Sequence, residues 1–212
     1  MEKHIIEFNE KIYHVGNLDF KKQRSNSYEG NALSISSIPD TWRKIAKLKG
    51  DTYLLKKKNT NFLDIHGAKE DILYKKNVID WGVDNNYIKK GTAFKVSWYD
   101  EEVEDEVFSL FDNYKKAKNE SYEEENIEKI INYNLPTQKL SAEINNKNPV
   151  DLINTLDYLF IVYAKKNLKL DGFWFYDEDR PEIYSAPRGG IFNIEDWDIY
   201  KLKNNKKLKQ KM

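Results

Sequence analysis

Four carboxylates, Asp177, Glu178, Asp179 and Glu182, follow directly on a strongly apolar run, Phe173-Trp174-Phe175-Tyr176. A carboxylate at the end of such a run can stabilise positive charge developing on a substrate; the alternative is a group of solvated loop acids. Three further positions offer hydrogen bonds of defined geometry. The imidazole of His14 can donate and accept at once, which suits a pair of neighbouring hydroxyls, or it simply ends a strand. Ser34 and Ser36 stand two apart, so in an extended strand they share one face while Leu33 and Ile35 turn to the other; the competing role is to cap the helix that follows. Arg188, beside Gly189 and Gly190, carries a planar fork of donors suited to a closely approaching anion, or to one of the neighbouring acids. The chain has no cysteine, which excludes disulfides, thiolate metal sites and a cysteine nucleophile. Its histidines, His4, His14 and His66, lack metal-ligand spacing.

These groups need elements to position them. Loose alternation around Ile5, Ile6, Phe8, Ile12 and Tyr13 predicts a short hairpin or strand leading into His14. A strand over 33–37 should run into a helix opened by Pro39, with Ser36 or Ser37 as its cap, Trp42, Ile45, Ala46 and Leu48 on its apolar side, and Gly50 at its end. Further strands are expected at 52–55, 61–65 and 92–98. Asn148-Pro149 opens the clearest helix, carrying Leu152, Ile153, Leu156, Leu159, Phe160 and Tyr163 at mostly three- and four-residue steps. Asp171-Gly172 then turns into the apolar strand, and shorter strands or strand ends follow at 182–185, 190–192 and 197–200.

At 212 residues the chain fits a single domain, 1–202, with a basic flexible tail at 203–212 that holds five lysines and no aromatic residue. Twelve acidic residues crowd positions 100–128, which predicts an acidic helical insertion at about 100–148, built of one or two amphipathic helices with a solvated charged side. Lys plus Arg and Asp plus Glu are both 35, so no whole-chain charge favours nucleic acid or anionic lipid. No apolar run approaches the roughly 18 residues that span a bilayer, and a cytoplasmic protein, of its own or a host cell, is expected.

The segments Ile12-Tyr13-His14-Val15-Gly16 and Gly30-Asn31-Ala32-Leu33-Ser34-Ile35-Ser36-Ser37-Ile38-Pro39-Asp40-Thr41-Trp42 together resemble the opening of the ADP-ribosyltransferase fold. In that family a first strand ends in a His-Gly-like pair, and a second motif runs from a strand through small hydroxyl residues and a proline into a helix. Gly30, Leu33, Ser34, Ser36, Pro39 and Trp42 stand at those spacings, while Val15 separates His14 from Gly16. Leu170-Asp171-Gly172-Phe173-Trp174 resembles the turn that precedes the family's catalytic acid. Ser185-Ala186-Pro187-Arg188-Gly189-Gly190-Ile191-Phe192 is similar to a signature near the C-terminus of some bacterial and phage members.

The resemblance covers residues 12–48 and 150–202. It implies an α+β fold with two small, mostly antiparallel sheets around an NAD cleft and helices outside. It implies a mono-ADP-ribosyltransferase with NAD as substrate and no metal, acting on a macromolecular target, protein rather than nucleic acid, as a toxin, effector or phage anti-defence protein. The implied catalytic residues are Glu178, Asp177 and His14, with Glu182 a third candidate for the acid. The implied cofactor contacts are Tyr13, His14 on the adenosine ribose, Gly16, Ser34, Ser36, Trp42, and Arg188 on the pyrophosphate. Where the family's histidine branch commonly has an aromatic residue against nicotinamide, this chain has Ser34, so either Tyr28 or Trp42 substitutes or the site is closer to the family's serine-containing branch. Two other functions suit the same fold: NAD hydrolysis with water as acceptor, and a non-catalytic protein that blocks a partner.

Overall fold

Residues 4–7, 11–18, 32–102, 104–121, 126–144, 151–175 and 187–202 are described by the structure, a computed structural model. In chain order its elements are β1 (Ile5–Glu7), β2 (Ile12–Gly16), β3 (Leu33–Ser36), α1 (Pro39–Ile45), β4 (Asp51–Lys56), β5 (Asn61–Asp64), α2 (Ile65–Glu70), α3 (Ile72–Asp84), β6 (Ile88–Asp100), β7 (Asp105–Phe111), α4 (Tyr114–Glu120), β8 (Ile127–Pro136), α5 (Gln138–Glu143), α6 (Thr155–Tyr163), β9 (Gly172–Phe175), β10 (Arg188–Ile191) and β11 (Asp198–Leu202). The architecture is mixed α and β with two sheets. The chain divides into two compact units, Met1–Lys75 with Ile161–Met212, and Lys76–Phe160.

The first unit holds an eight-stranded sheet in the order β1-β5-β9-β10-β3-β2-β4-β11. All its pairs are antiparallel except β5 with β9. Period-two alternation sorts its side chains. Ile12, Leu33, Ile35, Leu55, Phe62, Trp174, Ile191 and Trp197 form one buried cluster, and removing that much apolar surface from water is the main force holding the strands together. β1 pairs with β5, Ile5 opposite Leu63. β1 and β2 therefore do not pair with each other, because Ile5 and Ile6 find their apolar neighbours on β5, and the strand that leads into His14 is β2 itself.

Pro39 lies in the first turn of α1, as its fixed φ favours. Neither serine caps the helix: the N-cap is Ile38, with no side-chain bond, and Ser36 Oγ instead accepts the Ile38 amide at 3.0 Å. The helix ends at Ile45, short of Gly50, which at φ +110° turns the chain into β4. Arg43 ties these parts together by donating to the Gly50 carbonyl at 2.9 Å and to Thr52 Oγ1 at 2.7 Å.

The second unit is longer at both ends than the insertion expected at about 100–148, and its acidic stretch is mainly not helical. Residues 105–111 form β7, which pairs antiparallel with β6, and β8 covers 127–136; among the described residues α4 and α5 are the α-helices there. Val107, Phe108, Leu110 and Phe111 find cross-strand partners on β6, and this pairing outweighs the helix propensity of the surrounding acids. The sheet has the order β7-β6-β8. Ala93, Leu135 and Leu152 form its buried cluster, with Leu110, Ile130 and Tyr133 packed around them. Tyr133 secures the segment before α6 by donating to the Leu152 carbonyl at 3.0 Å. The expected helix opening at Asn148-Pro149 lies outside the described residues, and the regular helix begins at Thr155.

Periodicity does not announce α2 or α3. Asp71 starts α3 by accepting the amides of Leu73 and Tyr74 at 3.1 and 3.0 Å. Asn86, at φ 58°, follows its end. Among the described residues no helix is long and apolar enough to cross a membrane.

Candidate functional site

Four neighbouring strands of the first unit set one row of side chains. Tyr13 of β2 stands opposite Ser36 of β3, Ser36 opposite Arg188 of β10, and Arg188 opposite Phe175 of β9. Directly paired residues share a face, and residues two apart on a strand share it too, so Ser34 joins the row. Leu33, Ile35, Trp174 and Ile191 occupy the opposite face and belong to the core. The separation of Ser34 and Ser36 from Leu33 and Ile35 is thus a property of the register.

Beside this row α1 places Trp42, whose Nε1 donates to Ser34 Oγ at 3.2 Å. The Arg188 guanidinium carbon lies 4.9 Å from the Phe175 ring centroid and 5.8 Å from that of Trp42. A guanidinium stacked on aromatic faces directs its donors outward in its own plane, the geometry in which it meets carboxylates and phosphates. His66, exposed on α2, meets Phe175 edge-on with ring centroids 6.3 Å apart. Phe175 and His66 are the members of this cluster that residue types alone did not single out. For Phe175 the signal was the alternation from Phe173, which puts both rings on the Arg188 side; for His66 there was none.

Ser36 is fully buried. Its hydroxyl donates to the Pro187 carbonyl at 2.6 Å and accepts the Ile38 amide at 3.0 Å. One side chain therefore fixes the backbone entering β10 and the backbone entering α1, the two segments that carry Arg188 and Trp42.

His14 stands apart from the row. Alternation places it on the side of Ile12, its ring packs against Tyr53 at 6.3 Å between centroids, and it is almost entirely buried. β2 and β3 pair at Tyr13 and Ser36, and beyond that pair the imidazole bridges the strands: Nδ1 is 2.8 Å from the Ser34 carbonyl and Nε2 is 3.1 Å from the Asn17 carbonyl. Both partners are acceptors, so a neutral ring satisfies one and a protonated ring both. Burial is the stronger influence and pushes the His14 pKa below its ordinary value of 6.5, while the two carbonyls pull it back. Gly16, at φ +130°, closes β2, where a Cβ on Gly50 would come within 3.2 Å of its Cα. A side chain at either position meets backbone strain, and at Gly50 it meets crowding as well.

Asp177, Glu178 and Glu182 lie outside the described residues, as do Tyr28, the strand expected at 182–185 and the tail 203–212. Phe175 and Pro187 are the described residues that flank the connection carrying the acids, and Phe175 pairs with Arg188 across the ladder. Among the described residues no group of three or more His, Asp or Glu side chains could hold a metal ion.

A separate cleft of about 520 Å³ opens at the β4–β5 turn, lined by Lys11, Lys56, Lys57 and Lys58 beside Ile12 and Trp197. None of the candidate residues lines it. Lys57 is spanned between Asp171 at 2.7 Å and Asp196 at 3.3 Å. Burial opposes its charge, yet the bonds and attraction of the two carboxylates outweigh this and raise its pKa above the ordinary lysine value.

Compared with known proteins, the chain has no significant match to a protein-family model, a curated protein or a solved structure.

Proposed function

We propose that this chain is a mono-ADP-ribosyltransferase that moves ADP-ribose from NAD to a protein target, in the cytoplasm of its own or a host cell. The motif resemblance supports this reading, and one observation carries it furthest. Tyr13, Ser34, Ser36, Arg188 and Phe175 share the face opposite the cluster of Leu33, Ile35 and Trp174, with Trp42 bonded to Ser34 and stacked on Arg188, and the acids follow Phe175 in the sequence. A dinucleotide needs a cationic partner for its diphosphate and flat apolar partners for its rings. Arg188 is proposed for the first role and Trp42 for the second, while the fully buried Phe175 backs the guanidinium. Ser36 serves as a positioning residue through Pro187 and Ile38. His14, buried on the other side of β2 with both ring nitrogens set against carbonyls, serves here to tie β2 to β3 rather than to touch the ribose. The reaction breaks the bond between ribose and nicotinamide as positive charge grows on the ribose, and a carboxylate nearby stabilises that charge most in the transition state. Glu178 is proposed for this task, with Asp177 and then Glu182 behind it.

The test is NAD turnover by the full chain, with labelled NAD and a cell lysate as the source of targets. Transfer labels a protein, and Glu178→Gln lowers turnover by about 100-fold or more while NAD affinity stays nearly unchanged. Release of free ADP-ribose without labelling would assign hydrolysis instead. A folded protein that neither binds nor consumes NAD would end the enzymatic reading.

A further inference from the structure

The second unit carries a feature for which the nucleotide chemistry has no use. β8 pairs with β6 from Ile88 to Val96, whereas β7 pairs with it as far as Asp100 opposite Asp105. Residues 97–100 and 105–108 thus form a two-stranded arm beyond the third strand. Trp98 pairs with Val107 on one face, and Ser97 with Phe108 and Tyr99 with Glu106 on the other. Trp98, Tyr99 and Phe108 are 42, 65 and 44 % exposed. Two strands alone are marginal in water, and aromatic side chains left open on both of their faces mark a surface meant to be covered.

The charge at its end selects the kind of partner. The turn and the strands beside it carry Asp100, Glu101, Glu102, Glu104, Asp105 and Glu106. Among the described residues Glu101, Glu102, Glu104, Asp105 and Glu106 form no ion pair. Such an end repels nucleic acid and anionic lipid and attracts a cationic surface. At the base of the arm a hollow of about 290 Å³ is bounded by Val96, Trp98 and Phe111, with Glu120 also in its lining. Apolar walls beside a carboxylate suit a lysine or arginine, whose aliphatic stem packs while its head pairs.

We propose that this arm is a docking finger for a basic protein segment, with Trp98 and Tyr99 as apolar anchors, the turn acids as the steering charge and the hollow beside Trp98 as the seat of one basic side chain. Aromatic anchors inside a charged rim are the usual source of interface affinity and selectivity. The inference stands independently of NAD chemistry.

Three synthetic peptides of equal length test it when titrated into the full chain and followed by fluorescence anisotropy. One alternates Lys or Arg with Leu or Val, one carries the same charge with Ser and Asn, and one is neutral and apolar. The expected result is that the basic-apolar peptide binds at least about tenfold more tightly than the other two and that added salt weakens it. Trp98→Ala with Tyr99→Ala, and separately Glu101→Lys with Glu102→Lys, should each weaken it by about tenfold or more with the circular dichroism spectrum and melting temperature unchanged. Should the aromatic pair of variants prove unstable, the charge-reversed pair at the turn decides. Equal binding of the two basic peptides, no binding, tighter binding of a single-stranded oligonucleotide, or unchanged affinity in the charge-reversed variant would overturn the proposal.

Discussion

In the eight-stranded sheet two glycines leave neighbouring backbones no room for a side chain, whereas in the three-stranded sheet a glycine faces a side chain that can move. A Cβ on Gly172 of β9 would run into the Gly190 carbonyl, and one on Gly189 of β10 into the Phe173 carbonyl. A Cβ on Gly91 of β6 would meet only the side chain of Leu135. Both regions bury large side chains fully, Trp174, Phe62, Phe173 and Phe175 in the first and Phe160, Leu159 and Ile88 in the second, but the second rests its sheet on Ala93, Leu135 and Leu152 and leaves Trp98, Tyr99 and Phe108 open to water. Groups that must meet a small ligand within about half an ångström belong on the first kind of scaffold, and adaptable contacts belong on the second.

The largest expected effect attacks this contrast directly. Gly172→Val should force β9 and β10 apart and cost about 3 kcal/mol or more, whereas Gly91→Ala should cost less than about 1 kcal/mol because Leu135 can change rotamer. Urea denaturation of both variants compares them, and equal losses would remove the distinction.

The same contrast explains what could be read in advance. β3 and α1 were legible because Leu33-Ser34-Ile35-Ser36 alternates and Pro39 marks a helix start. The strand character of β9 was legible too, but its parallel pairing with β5 was not, since Phe173, Trp174 and Phe175 are buried on both faces and their order along the chain points nowhere. α3 escaped notice because Ile72 and Leu73 are 79 and 69 % exposed while Val78 and Gly82 are its buried residues, so no apolar stripe exists. In the acidic stretch, composition suggested helices where cross-strand pairing made a hairpin. At the candidate site, the motif resemblance picks out Ser34, Trp42 and Arg188, but the stacking of Arg188 on Phe175 depends on the register of β10 with β9. The lodging of His14 between two carbonyls depends on where β2 and β3 part, which no local pattern encodes.

Arg188 sharpens the comparison next. Arg188→Ala should weaken NAD binding by about ten- to hundredfold, or about 1.4 to 2.8 kcal/mol, measured by calorimetry. Arg188→Lys should recover little of it, since an ammonium group has no planar fork to stack between Trp42 and Phe175. Neither substitution should alter the binding of a basic peptide to the second unit.

His14 yields a smaller effect with a defined pH dependence. Its folded pKa lies below the ordinary 6.5, so the neutral ring favours the fold. That contribution is fully present above pH 6.5 and is lost as the pH falls through the folded value. His14→Gln should lower stability by about 1 kcal/mol at neutral pH through a lost hydrogen bond, and the gap to the unaltered protein should narrow in mild acid. Denaturation curves on both sides of pH 6.5 measure it. The smallest effect belongs to Lys57, tied to Asp171 and Asp196 but partly exposed. Lys57→Met should cost at most about 1 kcal/mol at neutral pH, and because the lysine pKa is raised, this difference should fade only in strong alkali.

The central claim is that nucleotide chemistry belongs to the eight-stranded sheet and not to the three-stranded one. Hydrogen exchange of the full chain, read by mass spectrometry with and without millimolar NAD, tests it most directly. Slower exchange is expected in the peptides that cover β3, α1 and β10, with β6 and β7 unchanged. Protection confined to β6 and β7, or no change anywhere, would contradict it.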